Sequence, residues 1–175
     1  MLEYLPETIR WFVGFILLSA GWGKCRGYVE FKDNLVTSFG FPKSVSNVFT
    51  PLLIMVEWSL AIIILSNTSY TYSGMIGALI IFSAFTSFLL YYWLKDARIQ
   101  CNCFGLEDRP VSSLDILRNI VIIGCLIIYL VTAQGHYLPS LEVCTLLAGS
   151  ALLLSIVVIH LHDVVMLLTT TNGRR

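Results

Sequence analysis

The sequence predicts an all-α membrane protein, a single-domain polytopic helical bundle with about five transmembrane helices and a short surface helix after the first. Of its 175 residues, 57% are hydrophobic and 13% charged, with a mean hydropathy of +0.79, whereas a soluble domain carries about 25% charged residues. Several apolar runs approach the length of about 20 residues that crosses a bilayer. Eleven basic residues balance eleven acidic ones, which argues against nucleic-acid binding.

The first predicted span, Ile9 to Lys24, is the shortest, because only residues 11–23 are uncharged. Arg10 and Lys24 are therefore expected to snorkel, extending their charged tips toward the membrane surfaces. The following segment, residues 27–48, mixes apolar and charged side chains, and Gly40-Phe41-Pro42 marks the expected end of a helix within it. This composition predicts a short helix lying on the membrane surface.

Four longer apolar runs predict the remaining spans. A polar cluster of turn formers separates the second span from the third. Ser112 or Ser113 occupies the N-cap position before the fourth span, and Asp115 falls in its first turn, where a negative charge is favourable. These four spans lie near residues 49–65, 72–94, 119–133 and 143–168.

Basic residues are distributed unequally between the two sides of the predicted bundle. Five spans place the termini on opposite sides, and every basic residue except Arg10 then falls on the side of the C-terminus. The positive-inside rule therefore predicts a multi-pass protein of the cell membrane with its N-terminus outside. Its C-terminus and the loop containing Cys101 and Cys103 are predicted to be cytoplasmic.

Cys101 and Cys103 form one closely spaced pair among the five cysteines. A disulfide between residues two apart requires a bent backbone, so it is expected to be strained and easily reduced. Nearby arginines and the following helix start both favour thiolate. The spacing therefore predicts thiol–disulfide exchange, with two idle thiols or a pair of metal ligands as the alternatives.

Cys25 lies at the same predicted membrane face, between Lys24 and Arg26, whose positive charges favour thiolate. It is interpreted either as a third thiol able to form a mixed disulfide with the pair or as a small interfacial residue. A structural zinc site usually has four ligands, so these cysteines would need a histidine from the last span. Cys125 and Cys144 lie within spans and are expected to pack as small apolar side chains.

Glu57 is an acid in the interior of a predicted span, where burying a charge is costly. It is therefore a functional candidate. Its expected partner is Arg10 or Lys24 on the first helix, or a bound polar ligand such as a quinone head group, so a quinone is a candidate cofactor. An ion pair or hydrogen bond that pins two helices together is the structural alternative.

The pattern of these residues along the chain resembles that of the MauE family of methylamine utilisation membrane proteins. This family lies within the wider MauE/DoxX group of redox-associated membrane proteins. The most specific feature is the stretch Cys101-Asn102-Cys103-Phe104-Gly105. The other matching residues are Arg10, Gly21, Lys24, Phe31, Phe41-Pro42, Pro51, Glu57 and Arg118-Asn119.

The resemblance implies a small helical membrane bundle with a four-helix core. It also implies a role in thiol redox supply or disulfide formation during maturation of secreted client proteins, alongside a thioredoxin-like partner. In the methylamine case the client is the small subunit of methylamine dehydrogenase. The candidate redox residues are Cys101, Cys103 and Cys25, and the supporting residues are Lys24, Glu57, Phe104, Gly105, Arg118 and Asn119.

Three functions follow as alternatives: a membrane thiol–disulfide oxidoreductase or electron conduit, a non-catalytic membrane scaffold that recruits a redox partner, and a DoxX-like quinone-linked subunit. The predicted orientation places the paired thiols in the reducing cytoplasm, whereas the implied clients are outside. Exchange with such clients requires either that electrons cross the bundle or that the orientation is reversed.

Overall fold

The computed structural model describes residues 4–37, 40–95, 112–133 and 140–161, and within these ranges the regular structure is helical. Five long helices form a bundle, and a short helix, α2, lies at one end of it. The six helices are α1 (Leu5–Arg26), α2 (Tyr28–Thr37), α3 (Lys43–Leu65), α4 (Thr71–Leu94), α5 (Ser113–Thr132) and α6 (Leu141–Ile159).

Four of the helices, α3 to α6, are long and apolar enough to cross a membrane. Large apolar side chains such as Met55, Ile80, Val131 and Leu153 point outward from them and are exposed on the bundle surface. Such a surface is unfavourable in water and suits contact with lipid. The predicted all-helical membrane bundle is confirmed, and the chain is a multi-pass membrane protein.

Helix α1 is the central helix, although it carries more charge than its neighbours. It packs against α3, α5 and α6, and 12 of its 22 residues are buried. Because neighbouring helices surround it in place of lipid, its charged side chains have protein partners. Arg10 and Lys24 are 2% and 3% exposed, so the expectation that they snorkel to the membrane surfaces is wrong.

The core is a ring of four helices in the cyclic order α1, α3, α4, α5, and α6 packs on the outer side of α1. Helix α6 buries two small residues, Ala151 and Ser155, which lie one turn apart. Small side chains on one face allow two membrane helices to approach closely. The arrangement contains the predicted four-helix core.

The predicted short helix is confirmed as α2, which packs against α3 and α1. Its buried residues, Phe31 and Leu35, form a second apolar cluster with side chains of α3 and α4. Ser46 Oγ donates to the carbonyl oxygen of Lys32 at 2.8 Å, which joins α2 to the start of α3. The chain turns after α2 at Gly40, whose φ of +69° favours glycine.

Some of the observed helix boundaries agree with the predicted ones better than others. Helix α3 begins before the predicted span and continues through Pro51. The start of α5 is as predicted: Ser112 is the N-cap, and its backbone N–H donates to Asp115 Oδ2 at 2.9 Å in a capping box. Helix α6 is described from Leu141 to Ile159 with His160 as C-cap, and the predicted end near residue 168 lies outside the described residues.

Two glycines of α1 set its antiparallel register on α3. Gly14 faces Leu65 and Gly21 faces Trp58, so both helices advance by seven residues, or two turns, between the contacts. A Cβ placed on Gly21 would lie 2.5 Å from Cδ1 and Nε1 of the Trp58 ring. The absence of a side chain at Gly21 therefore permits this close contact.

We expect Gly21→Ala to lower the free energy of unfolding by about 1–3 kcal/mol, because overpacking outweighs the gain of about 1 kcal/mol in helix propensity. Gly124→Ala is the matched control, since a Cβ there meets no atom within 4 Å. The control should be neutral or stabilised by up to about 1 kcal/mol. Reversible unfolding in detergent measures both variants, and equal stabilities would contradict the tight contact at Trp58.

Candidate functional site

Two opposite charges meet inside the bundle between α1 and α3. Nζ of Lys24 donates to Oε1 of Glu57 at 2.7 Å and to Oε2 at 2.9 Å. Both side chains are buried, with Glu57 5% exposed. Of the two cations considered as partners for Glu57, the structure selects Lys24 rather than Arg10, and the predicted ion pair between the helices is confirmed.

The ion pair is covered by α2. The ammonium group of Lys24 lies 5.6 Å from the centroid of the Phe31 ring, in a cation–π position. Nζ also lies 3.5 Å from the carbonyl oxygen of Ala20, one turn earlier in α1. Phe31 therefore shields the Lys24 ammonium from the end of the bundle, which strengthens its attraction to Glu57 by lowering the local dielectric constant.

Arg10 serves a separate site near the other end of α1, about 21 Å along the helix axis from Lys24. Its Nη1 donates to the carbonyl oxygens of Ile64 and Leu65 at 2.9 and 3.0 Å. Nε donates to Glu7 Oε2 at 2.9 Å, which balances the charge. The last carbonyls of a helix have no partner within it, so Arg10 caps the C-terminus of α3.

A cavity of about 350 Å³ lies beside the Lys24–Glu57 pair and is bounded by α1 to α5. Its wall is largely apolar and aromatic, and the pair and Asn119 contribute the polar groups. Pockets of at least about 300 Å³ with few polar groups are typical small-molecule sites. Six phenylalanines line it: Phe31, Phe41, Phe49, Phe82, Phe85 and Phe88.

Asn119 faces the cavity from the second turn of α5. The residue is 1% exposed, and its Nδ2 is buried with no hydrogen-bond partner among the residues that the structure describes. A buried polar group without a partner costs about 1–3 kcal/mol. The amide is therefore a donor available to a molecule in the cavity.

Arg118, the residue before Asn119, is also buried and is tied to the start of α5. Its Nη1 lies 3.7 Å from Asp115 Oδ1, and Asp115 in turn accepts from the Ser112 backbone in the capping box. Arg118 and Asn119, the two predicted supporting residues of α5, thus have different surroundings. Arg118 contacts the helix start, and Asn119 faces the cavity.

Cys25 is an exposed free thiol at the end of α1. We call this end of the bundle the Cys25 end: here α1 and α4 finish and α3 and α5 begin. Phe88, near the end of α4, packs against Phe41 with ring centroids 6.1 Å apart, and Asn119 shares the cavity with Lys24. The segment between Lys95 and Ser112 therefore leaves and re-enters the described structure at the Cys25 end.

That segment contains the predicted cysteine pair. Cys101, Cys103, Phe104 and Gly105 lie outside the described residues, and their predicted roles rest on the sequence. The structure does, however, locate the two helix ends that flank them. Both flanking positions lie at the same end of the bundle as Cys25.

The remaining thiols lie away from this end or inside the bundle. Cys125 is half-buried against the main apolar core, as expected for a small apolar side chain. Cys144 lies in the first turn of α6, at the opposite end from Cys25. Within the described ranges, no group of three or more His, Cys, Asp or Glu side chains lies close enough to hold a metal ion.

The aromatic wall of the cavity was not predicted as functional. Phe82, Phe85 and Phe88 recur every three residues on one side of α4. In a membrane helix this spacing is equally typical of lipid-facing or core side chains. The spacing alone therefore does not distinguish phenylalanines that line a cavity from those that face lipid or the core. The cavity depends on how five helices meet, which the spacing does not report.

A comparison with protein families finds a match over most of the chain. The model of a family described as "Methylamine utilisation protein MauE" matches residues 2–132 of the chain. The matched region ends at the last residue of α5 and so includes the four-helix core, α2, the cavity and the cysteine pair. No curated protein and no solved structure matches the chain.

Proposed function

The chain belongs to the MauE family of membrane proteins involved in methylamine utilisation, and from this premise we propose that it exchanges thiols and disulfides with a thioredoxin-like protein. The exchange serves the maturation of a secreted client, which in methylamine utilisation is the small subunit of methylamine dehydrogenase. The proposed redox residues are Cys101 and Cys103, with Cys25 as an additional thiol.

The observation that carries this proposal is that the Cys25 thiol and both helix ends that flank the Cys101–Cys103 segment lie at one end of the bundle. Cys25 is exposed there at the end of α1, and the helices that flank the Cys101–Cys103 segment end and begin there as well. An exchange protein needs thiols that a partner can approach. Cys25 meets this requirement, and we propose that Cys101 and Cys103, whose flanking helices end and begin at the same end of the bundle, meet it as well.

In the proposed reaction, the thiolate of Cys101 or Cys103 attacks a disulfide of the partner. One partner thiolate leaves, and a mixed disulfide forms. The second cysteine attacks this bond and releases the other partner thiolate. Two electrons and two protons thereby pass from the dithiol of the chain to the partner, and oxidation of the partner follows the same steps in reverse.

The supporting residues position the segments that carry the thiols. The Lys24–Glu57 pair holds the end of α1 on α3 directly before Cys25, and the Arg118–Asp115 contact holds the start of α5. We propose that this rigidity keeps the flanks of the cysteine segment in place, and that Phe104 and Gly105 are supporting residues within the segment. Rigid support for reactive groups reduces the entropy lost when a partner docks.

The test is differential alkylation of the thiols in membranes equilibrated with redox buffers, read by mass spectrometry. We expect Cys101 and Cys103 to become protected together in a two-electron transition, with a midpoint between about −270 and −120 mV, the range of known exchange proteins. Cys144, at the opposite end of the bundle, is the internal control and should stay alkylatable throughout.

Impermeant reagent added to each side of sealed vesicles tests the orientation in the same samples. Lys24, Lys32, Lys43 and Lys95 all lie at the Cys25 end, whereas Arg10 lies at the opposite end, so the positive-inside rule favours a cytoplasmic Cys25 end. Direct exchange with a partner outside the cell requires the reverse orientation, and the labelling decides between the two. A scaffold without redox chemistry would leave both paired thiols reduced at every potential, and that result would refute the proposed exchange.

A further inference from the structure

The cavity next to the Lys24–Glu57 pair is a separate feature from the cysteine segment, and we propose that it binds the head group of a lipid-soluble quinone. Its wall combines aromatic rings with a buried hydrogen-bond donor, Asn119. Binding itself needs no cysteine. Electron transfer to the bound quinone rests on the proposed function, because the Cys101–Cys103 dithiol is the electron source.

The route into the cavity favours a ligand dissolved in the membrane. Among the lining residues, Phe49 of α3 and Ala84 of α4 are exposed at the bundle surface. Both helices are apolar enough to cross a membrane. The open side of the cavity therefore faces lipid, and a ligand that enters from that side must itself be apolar over most of its surface.

The polar groups of the cavity restrict the ligand further. The Nδ2 group of Asn119 needs an acceptor, whereas the hydrocarbon tail of a lipid has none. The carboxylate of Glu57 lines the cavity and is already paired with Lys24, so an anionic ligand would lose its hydration in a largely apolar cavity without gaining a counter-charge from this pair. A neutral molecule with a carbonyl oxygen fits both conditions, and the phenylalanine rings suit a flat aromatic body.

A quinone has these properties, and its redox stoichiometry matches a dithiol. Oxidation of two thiols to a disulfide releases two electrons and two protons, and reduction of a quinone to a quinol consumes the same number. The quinone is thus the oxidant that regenerates the Cys101–Cys103 disulfide after the chain has oxidised its partner. Asn119 is the positioning residue, because its amide holds the quinone carbonyl.

The test is equilibrium binding of radiolabelled decylubiquinone to the purified full chain in detergent. We expect saturable binding of about one molecule per chain. Decylbenzene, which has the same tail and no carbonyl oxygen, is the matched probe and should compete at least about tenfold more weakly, since it leaves the buried Asn119 donor unpaired. Equal competition would overturn the proposal, because the cavity would then be a site for any apolar chain.

Asn119→Leu separates binding from folding. It removes an Nδ2 donor that has no partner in the described structure, so the ligand-free protein should be as stable as the wild type or more stable. Affinity for decylubiquinone should nevertheless fall at least about tenfold. Retention of wild-type affinity by this variant would overturn the assignment of Asn119.

Ala84→Trp is a second variant, designed to obstruct the cavity at its exposed edge. Ile80→Trp is its matched control, because Ile80 lies one turn away on α4, is 63% exposed and does not line the cavity. We expect loss of decylubiquinone binding only in Ala84→Trp. Equal binding in both variants would place any quinone site elsewhere and overturn the proposal.

The double variant Cys101→Ser with Cys103→Ser, which removes only the cysteine pair, distinguishes the two proposals. It should bind decylubiquinone as the wild type does. Binding together with thiols that do not respond to redox buffers would retain the quinone site and refute thiol exchange. Redox-active thiols without decylubiquinone binding would refute the quinone site and retain thiol exchange.

Discussion

Glu57→Leu and Lys24→Met are each expected to lower the free energy of unfolding by about 3–5 kcal/mol, because each leaves one charge buried without its partner. The two side chains are joined by hydrogen bonds of 2.7 and 2.9 Å in the interior of the bundle. The double variant should return to within about 1 kcal/mol of the wild type, since apolar replacement of a whole buried pair is often neutral.

Reversible unfolding in detergent, followed by circular dichroism, measures this cycle. Lys43→Met is the control, because Lys43 is an exposed cation at the start of α3, and its loss should change stability by no more than about 0.5 kcal/mol. Additive losses in the double variant would show that Lys24 and Glu57 act independently and that the ion pair does not join α1 to α3.

The second large effect concerns function. Cys101→Ser and Cys103→Ser should each reduce disulfide maturation of the client by at least about 100-fold, because a serine hydroxyl neither attacks a disulfide nor forms one. Whichever variant keeps the attacking cysteine should also accumulate a mixed disulfide with the thioredoxin-like partner, since the resolving thiol is missing. Non-reducing electrophoresis of cells that express the client measures both effects.

Cys144→Ser is the matched control for these variants, because Cys144 lies at the end of the bundle opposite Cys25. It should mature the client at the wild-type rate. Cys25→Ser tests the proposed third thiol separately, and a partial loss of maturation would support a relay through Cys25. Normal maturation in both Cys101→Ser and Cys103→Ser would exclude the thiol mechanism and favour a scaffold.

Several local features were predictable because they depend on neighbouring residues in the chain. The apolar runs located four of the spans, since the cost of exposing backbone and charge to lipid acts on each segment separately. Ser112 and Asp115 marked the start of α5, because a capping box needs only residues three apart. The cysteine pair and its flanking glycine indicated the family that the comparison later showed.

The prediction for Arg10 and Lys24 failed for a physical reason. At the ends of a lone membrane helix, long cationic side chains lower their energy by reaching the interface. In this bundle, α1 is surrounded by other helices, and each cation finds a partner on α3: backbone carbonyls for Arg10 and the Glu57 carboxylate for Lys24. The outcome was decided by which helix lies next to α1.

Hydropathy and capping residues sufficed to predict a helical membrane protein in which Glu57 needs a partner, and the motif around Cys101 and Cys103 carried the resemblance to the MauE family. They left open which helices touch, because apolar faces of membrane helices resemble one another and each satisfies its own backbone hydrogen bonds. Which helices touch is decided by packing, because side-chain volumes must fit together. Gly21 leaves room for the Trp58 ring, and α2 covers Lys24. The five helices α1 to α5 together enclose a cavity, and Asn119 faces it.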